Sequence, residues 1–533
     1  MNILSALVFF PIAGALLIAI WPCAERTSWR MALIASAGEF LLSLKMALLF
    51  DPNSGLMQMV EQSEWIPTFG ITYLLGVDGV SLGLVVLTGA LTPIVVLSAW
   101  GSIQKQIRAY LAGMLLLEGA MVGSFLALDL VLFFLFWELM LIPMAILIGV
   151  WGGPRRIYSA IKFFLYTAFG SALMLVSILS LAYLHMESRN LLTFNFLILK
   201  DLILPPHVSL YLFLGFALAF AIKVPVFPFH TWLPDAHTEA PTGGSVILAG
   251  VLLKFGVYGF FRFCLPLFPD IAMRAAPWLA GLGVVGIVYG ALVSMVQTDI
   301  KRLVAFSSVS HLGFCMLGLF AFTVEGMAGS LFVCLAHGVS TGALFLLVGF
   351  LYDRRHTRDI SEFGGITQVM PFYAAVFVIT ALASAGLPGL CGFVGEFLSL
   401  AGAFLSQSLP HARLLTVAAA TAVILSAVYL LWMVQRVFFG ALSNDKNRRL
   451  ADLTLRERCA ILPLIGLMIW MGVYPEPILA RMRPTLDMLR TFVMLKRGQI
   501  ERELQRNDTA PDIAPAPMEK PGSPADRPPR ETV

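Results

Sequence analysis

AFAIKVPVFPFHTWLPDAH, residues 219–237, begins as apolar sequence suited to lipid, carries a lysine at Lys223, then interrupts itself with Pro225, Pro228 and Pro234. Proline removes a backbone donor and ends or kinks a helix. An ionised side chain at mid-bilayer costs about 2.5–3.5 kcal/mol on insertion scales. A cation followed by three helix breakers is therefore expensive in lipid, and its presence asks for a use.

Working outward, the 533 residues are 58% hydrophobic and 13% charged, against about 25% charged in a soluble domain. The composition is that of an all-α integral membrane protein. About fourteen apolar runs recur, each near the ~20 residues of a spanning helix. All are expected to be helical, because a lipid-facing backbone must satisfy its own hydrogen bonds. Among them are runs near 73–99, 209–230, 371–404 and 459–478. The first run, MNILSALVFFPIAGALLIAIWP, has neither a basic leading region nor a small-residue cleavage site, so it reads as a spanning helix and not a signal peptide.

Several function classes drop out. A net charge of +4 gives no reason to expect nucleic acid. Cys23, Cys264, Cys315, Cys334, Cys391 and Cys459 show no CxxC or metal spacing, and most lie in apolar runs, where cysteine serves as a small core residue. There is no Walker loop, no dinucleotide fingerprint and no paired histidines of a haem bundle. The chain is expected neither to hydrolyse nucleotide nor to carry electrons.

Loop charge sets the expected orientation. Sixteen Lys and Arg fall in alternate loops, including Arg155, Arg156, Lys301, Arg302 and Arg354. Five, namely Arg189, Lys200, Arg262, Arg274 and Arg413, fall in the others. The positive-inside rule then puts both termini outside; with a start methionine and no transit peptide, that bias suits a bacterial cell inner membrane, with the termini on its periplasmic side. The loop 233–244 is anomalous, because it should face inside yet carries no Lys or Arg.

The interrupted run at Pro225 and Pro228 has a counterpart five runs later, SAGLPGLCGFVGEF (384–397). An odd offset makes the two face opposite ways, which points to inverted repeats around an ion or substrate site; two ordinary proline kinks are the alternative. The expected divisions are 1–108 (three helices), 109–268 (first repeat), 269–440 (second repeat), 441–495 (last span and flank) and 496–533, a polar, Pro-rich tail expected to be disordered.

Ionisable residues within the expected spans are Glu39, Lys45, Asp78, Glu118, Glu138, Lys162, Lys223, Lys254, His311, His337 and Glu396. Lys45 and Asp78 sit near run ends, where a side chain can reach the interface. Glu138, Lys223, Lys254 and Glu396 are deep. A single buried charge can be locked to a partner for packing alone, but four deep groups with two histidines are the composition of a proton relay. Burial disfavours the Lys223 ammonium, while a carboxylate ~4 Å away favours it by about 4 kcal/mol at an effective dielectric of 20. A lysine whose carboxylate partner approaches and retreats can thus gain and lose its proton, and Glu138 is the candidate partner.

FLFWELMLIPM (134–144), AIKVPVFPFHTWLPDAHTEAPTGGSVILAGVLLKFGVYG (221–259), IKRLVAFSSVSHLGF (300–314), LYDRRHTRDI (351–360) and GLPGLCGFVGEF (386–397) together resemble the antiporter-like subunits of proton-pumping NADH–quinone oxidoreductase, respiratory complex I. The resemblance covers roughly residues 70–475. Glu396, where sister chains usually carry lysine, and Lys254, where one sister carries histidine, make the likeness strongest to the chain M, or mitochondrial subunit 4, type. The chain also shows no sign of the long lateral helix of chain L.

The resemblance implies a translocase subunit without a redox centre. Glu138 and Lys223 would form the input pair, Lys254 with His311 or His337 the central relay, Glu396 the terminal site, and Lys162 would modulate the pair. It implies no role for Asp78 or Glu118, and no metal or cofactor site in this chain. NADH, FMN, iron–sulfur clusters and quinone are expected in partner subunits. Chains L and N and the lipid bilayer are the expected partners. The alternative is a subunit of a multi-subunit cation/proton antiporter or a membrane-bound hydrogenase.

Overall fold

The computed structural model describes residues 2–22 and 24–509, with side chains through 502. Helices α1 (Ile3–Ile20) and α2 (Glu25–Leu49) precede a hairpin of β1 (Gln58–Ile66) and β2 (Ile71–Val77). There follow α3 (Leu82–Ala99), α4 (Ile107–Leu126), α5 (Leu130–Trp151), α6 (Arg156–Arg189), the short α7 (Phe196–Leu199) and α8 (Pro206–Lys223). Next come α9 (Trp232–Glu239), α10 (Thr242–Leu267), α11 (Pro269–Met295), α12 (Ile300–Leu319) and α13 (Val324–Arg355). The chain ends with α14 (Pro371–Ser384), α15 (Cys391–Phe404), α16 (Ala412–Phe438), α17 (Leu455–Val473) and α18 (Glu476–Thr509).

Among the described residues, 12 helices are long and apolar enough to cross a membrane. The short α14 and α15 flank the expected break at Gly386–Gly389, and α17 is bent by 66° from α18. Helix starts are marked as the sequence chemistry requires. Asp129 accepts from the Val131 and Leu132 N–H groups at the head of α5, Asp299 from Arg302 at α12, and Thr454 with Glu457 closes a capping box at α17. The helices α10 and α13 run through the centre, with their apolar windows wholly buried.

Four expectations change. The run from 73 does not begin as a helix: residues 71–77 form β2, whose short apolar run reads equally well as helix or strand. The polar tail does not begin at 496, because α18 continues as helix through Thr509; the remainder of 496–533 lies outside the described residues. At 34 residues and ~1.5 Å each, α18 is a lateral helix about 50 Å long, which the sequence was not expected to have. Asp78 and Arg262, assigned to an interface and a loop, are buried against each other at 2.6 and 2.8 Å.

The start of α1 and the helix α18 lie on one face. There the Leu4 N–H donates to Glu61 in the hairpin at 2.8 Å. The Gly79 N–H donates to Thr485 of α18 at 3.1 Å, and Arg490 and Lys496 of α18 donate to the carbonyls of Phe322 and Pro266. The basic loops gather on the other face, where Arg354 holds Glu457 at 2.6 Å and Arg358 holds Asp299 at 3.1 Å.

Candidate functional site

The break after Lys223 is closed by protein groups. The Val224 and Val226 N–H groups donate to the carbonyls of Phe220 and Ala221, and the Trp232 indole donates to the Ile222 carbonyl at 2.9 Å. The residues that follow the break turn back and satisfy the backbone groups it frees. Lys223 ends α8 fully buried, its ammonium 5.1 Å from the Trp137 ring centre and 5.6 Å from that of Phe163. Among the described residues it makes no hydrogen bond or ion pair. Glu138 is one residue from Trp137 on α5 and within electrostatic reach of Lys223, yet not in contact, and its Oε1 is buried without a donor. Lys162 on α6 is held away from the two by Asp235 at 2.7 Å.

The second break is built on glycine. Gly386 and Gly389 take φ of +79° and +87°, a region costly for other residues. A Cβ on Gly386 would also stand 3.1 Å from Glu396 Oε2. Glu396, on α15, meets His311 Nδ1 of α12 at 2.8 Å. The His311 ring lies 5.8 Å from that of His337 on α13. His337 Nδ1 in turn lies 2.7 Å from Lys254 Nζ. A cavity of about 10 Å³ opens among His311, His337, Ser384 and Glu396. Thus Lys254, His337, His311 and Glu396 form one buried line across four helices.

Lys254 owes its position to α10, which is not regular. Two π-helical turns, Leu248–Leu252 and Phe260–Cys264, flank the segment from Lys254 to Gly259. Such turns shift side-chain phase and recur at functional sites. The Lys254 ammonium also donates to the Ala249 carbonyl. The second π turn brings Arg262 inward to Asp78 and to the Tyr258 hydroxyl.

Two groups escaped the reading of the sequence. His237 is fully buried, stacked on Phe345 at 4.7 Å, with both ring nitrogens unpartnered and within electrostatic reach of Lys254 and Lys301. Lys301, counted as a loop residue, is buried and donates to the Ala240 carbonyl at 2.5 Å. The missing basic residues of loop 233–244 were the available signal: Lys301 and Arg358 supply cations to that loop from other segments, Arg358 through the Thr238 carbonyl at 2.5 Å. Beside them a cavity of about 190 Å³ is lined by Ser102, Tyr110, Glu239, Lys301, Asp353 and Arg358.

Two broken spans around a buried line of acid, lysine and histidines define an antiporter-like membrane protein. Residues 127–426 match the transmembrane family described as NADH:quinone oxidoreductase/Mrp antiporter, and the chain belongs to that family. It is 44% identical over 488 residues to NADH-quinone oxidoreductase subunit M of Rhodobacter capsulatus, covering 89% of this chain and 94% of that one. Among solved structures it is similar to a chain of respiratory complex I from Thermus thermophilus, with a TM-score of 0.83 and 33% identity over 92% of this chain and all of that one. A chain of the Mrp complex from Dietzia sp. shares the fold at a TM-score of 0.76 and 22% identity, covering 95% of this chain and 57% of that one.

Proposed function

We propose that the chain is the proton-translocating, subunit-M-type membrane subunit of an NADH–quinone oxidoreductase, driven by quinone reduction in partner subunits. The observation that carries this reading is the contact line Lys254–His337–His311–Glu396. A relaying histidine takes a proton on one ring nitrogen and releases it from the other. His337 accepts from the Lys254 ammonium at Nδ1 and releases at Nε2, which has no hydrogen-bond partner among the described residues; it lines the small cavity together with His311. His311, whose Nε2 lies 3.5 Å from the Tyr429 hydroxyl, passes a proton from Nδ1 to Glu396, from which it leaves toward the periplasm.

The separation of Glu138 from Lys223 supports the input role. Approach of the carboxylate favours the ammonium, and retreat lets burial expel its proton. Moving one charge against 100 mV requires about 2.3 kcal/mol, less than the ~4 kcal/mol such a carboxylate supplies at ~4 Å. Lys162, tied to Asp235, modulates that pair. Protons are taken up through the cavity at Glu239, Lys301 and Asp353, with His237 between it and Lys254. In this reading 109–268 and 269–440 are inverted repeats, both termini are periplasmic, chains L and N are neighbours, and NADH, FMN, iron–sulfur clusters and quinone sit in other subunits.

Glu138→Ala or Lys223→Ala should abolish most proton pumping and depress quinone reduction in a complex that still assembles. Normal pumping by an assembled variant defeats the assignment. Sodium-driven proton exchange without a redox partner would favour the antiporter reading, whose support is the fold shared with the Mrp complex.

A further inference from the structure

Two carboxyls stand outside this line. Glu39 on α2 and Glu118 on α4 are both fully buried, and all four of their oxygens lack a hydrogen-bond donor among the described residues. They face each other at hydrogen-bonding range, with Thr92 beside Glu118. A Cβ on Gly89 of α3 would collide with Glu39 Oε2, so the backbone there is drawn close around the pair. The neighbouring hydroxyls are already committed: Thr92 donates to the Thr88 carbonyl at 3.0 Å and Ser43 to that of Phe40 at 2.7 Å.

Among the described residues, no cation faces the pair. The helices α1 and α3 carry no ionisable residue. The other charges on α2 are Glu25, Arg26 and Arg30 at one end and the exposed Lys45 toward the other. On α4, Arg108 is spent on the Ile18, Ala19 and Trp21 carbonyls, and Tyr110 lies two turns from Glu118. Among the described residues, the other elements packed on α4 add Glu138 on α5 and Tyr73 on β2, which is bonded to Ser5.

Two carboxylates in contact, buried and without a cation or a donor, cannot both be ionised. A proton between them supplies the absent donor and turns repulsion into a short, strong hydrogen bond. We propose that Glu39 and Glu118 form a proton-sharing carboxyl pair, a proton-binding site separate from the Lys254–Glu396 line and from the Glu138–Lys223 pair, which ties α2 to α4.

Infrared spectroscopy of the purified intact complex tests this. The native complex should show the carbonyl band of a protonated carboxylic acid, sensitive to deuterium, that Glu39→Gln/Glu118→Gln removes. Amides keep the shape and can bond each other, so this double variant should assemble and pump within about twofold of native. If it fails to assemble, Glu118→Asp should shift the band without removing it. The proposal is overturned by an acid band that none of these changes alters, by ionised carboxylate bands that the double variant removes or that respond to sodium, or by loss of pumping in an assembled double variant. None of these results bears on the Glu138 and Lys223 test.

Discussion

Lys223 and Lys254 place an ammonium in a buried setting by different means. Lys223 has two aromatic faces and a carboxylate out of contact, while Lys254 has a histidine nitrogen and a backbone carbonyl. Aromatic faces offer about 0.5–2 kcal/mol to a cation and leave it free to answer a moving charge. Asp78 and Arg262 are the contrast, a closed bidentate pair fitted for structure. Asp78→Asn leaves that guanidinium buried without its counter-ion and should destabilise by about 3–5 kcal/mol, read as a lower thermal midpoint of the complex and poorer assembly. The burial of Lys254 was legible in sequence because its long apolar flanks leave no route to water, and that of Lys223 and Glu396 because each sits against a break in an apolar run. The Asp78–Arg262 partnership was not, since a π turn re-aims Arg262 and no periodicity of 3.6 anticipates it.

At the scale of the element, both broken helices work by bringing a terminus and a charge to one place. Trp232 closes the first by donating to the Ile222 carbonyl. Trp232→Phe keeps the ring and removes the donor, and should cost about 1–3 kcal/mol, with faster amide exchange at the end of α8. Gly386 closes the second. Gly386→Ala should cost about 1–2 kcal/mol for the left-handed backbone. It should also depress proton pumping more than that loss of stability explains, because the new methyl group meets Glu396; pumping reduced only in step with assembly would count against this. Proline and glycine announced both breaks in the sequence. The β-hairpin was hidden, because YLLGV (73–77) reads as the start of a span.

For the whole molecule, α18 is the feature that ties distant parts together. It runs from Gly79 beside α3 to the Pro266 carbonyl beside α11, and Arg490 fastens it to the α12–α13 turn on the way. A chain ending after Tyr474 should keep its spans but lose this strap, with a lower thermal midpoint and weaker association with the rest of the complex on native gels. Polar composition hid α18, since a helix lying along a face needs no continuous apolar run. The proposed proton line joins α10, α12, α13 and α15, so its contacts exist only when both halves of the chain are docked. Lys254→Met, which keeps the apolar stem and removes the amine, cuts that line at its first member. The decisive measurement is proton uptake per NADH oxidised by the variant complex in sealed liposomes. The account predicts an assembled complex whose pumping falls at least about tenfold, equivalent to ~1.4 kcal/mol or more on the barrier; an assembled complex with the native proton-to-electron ratio would contradict it.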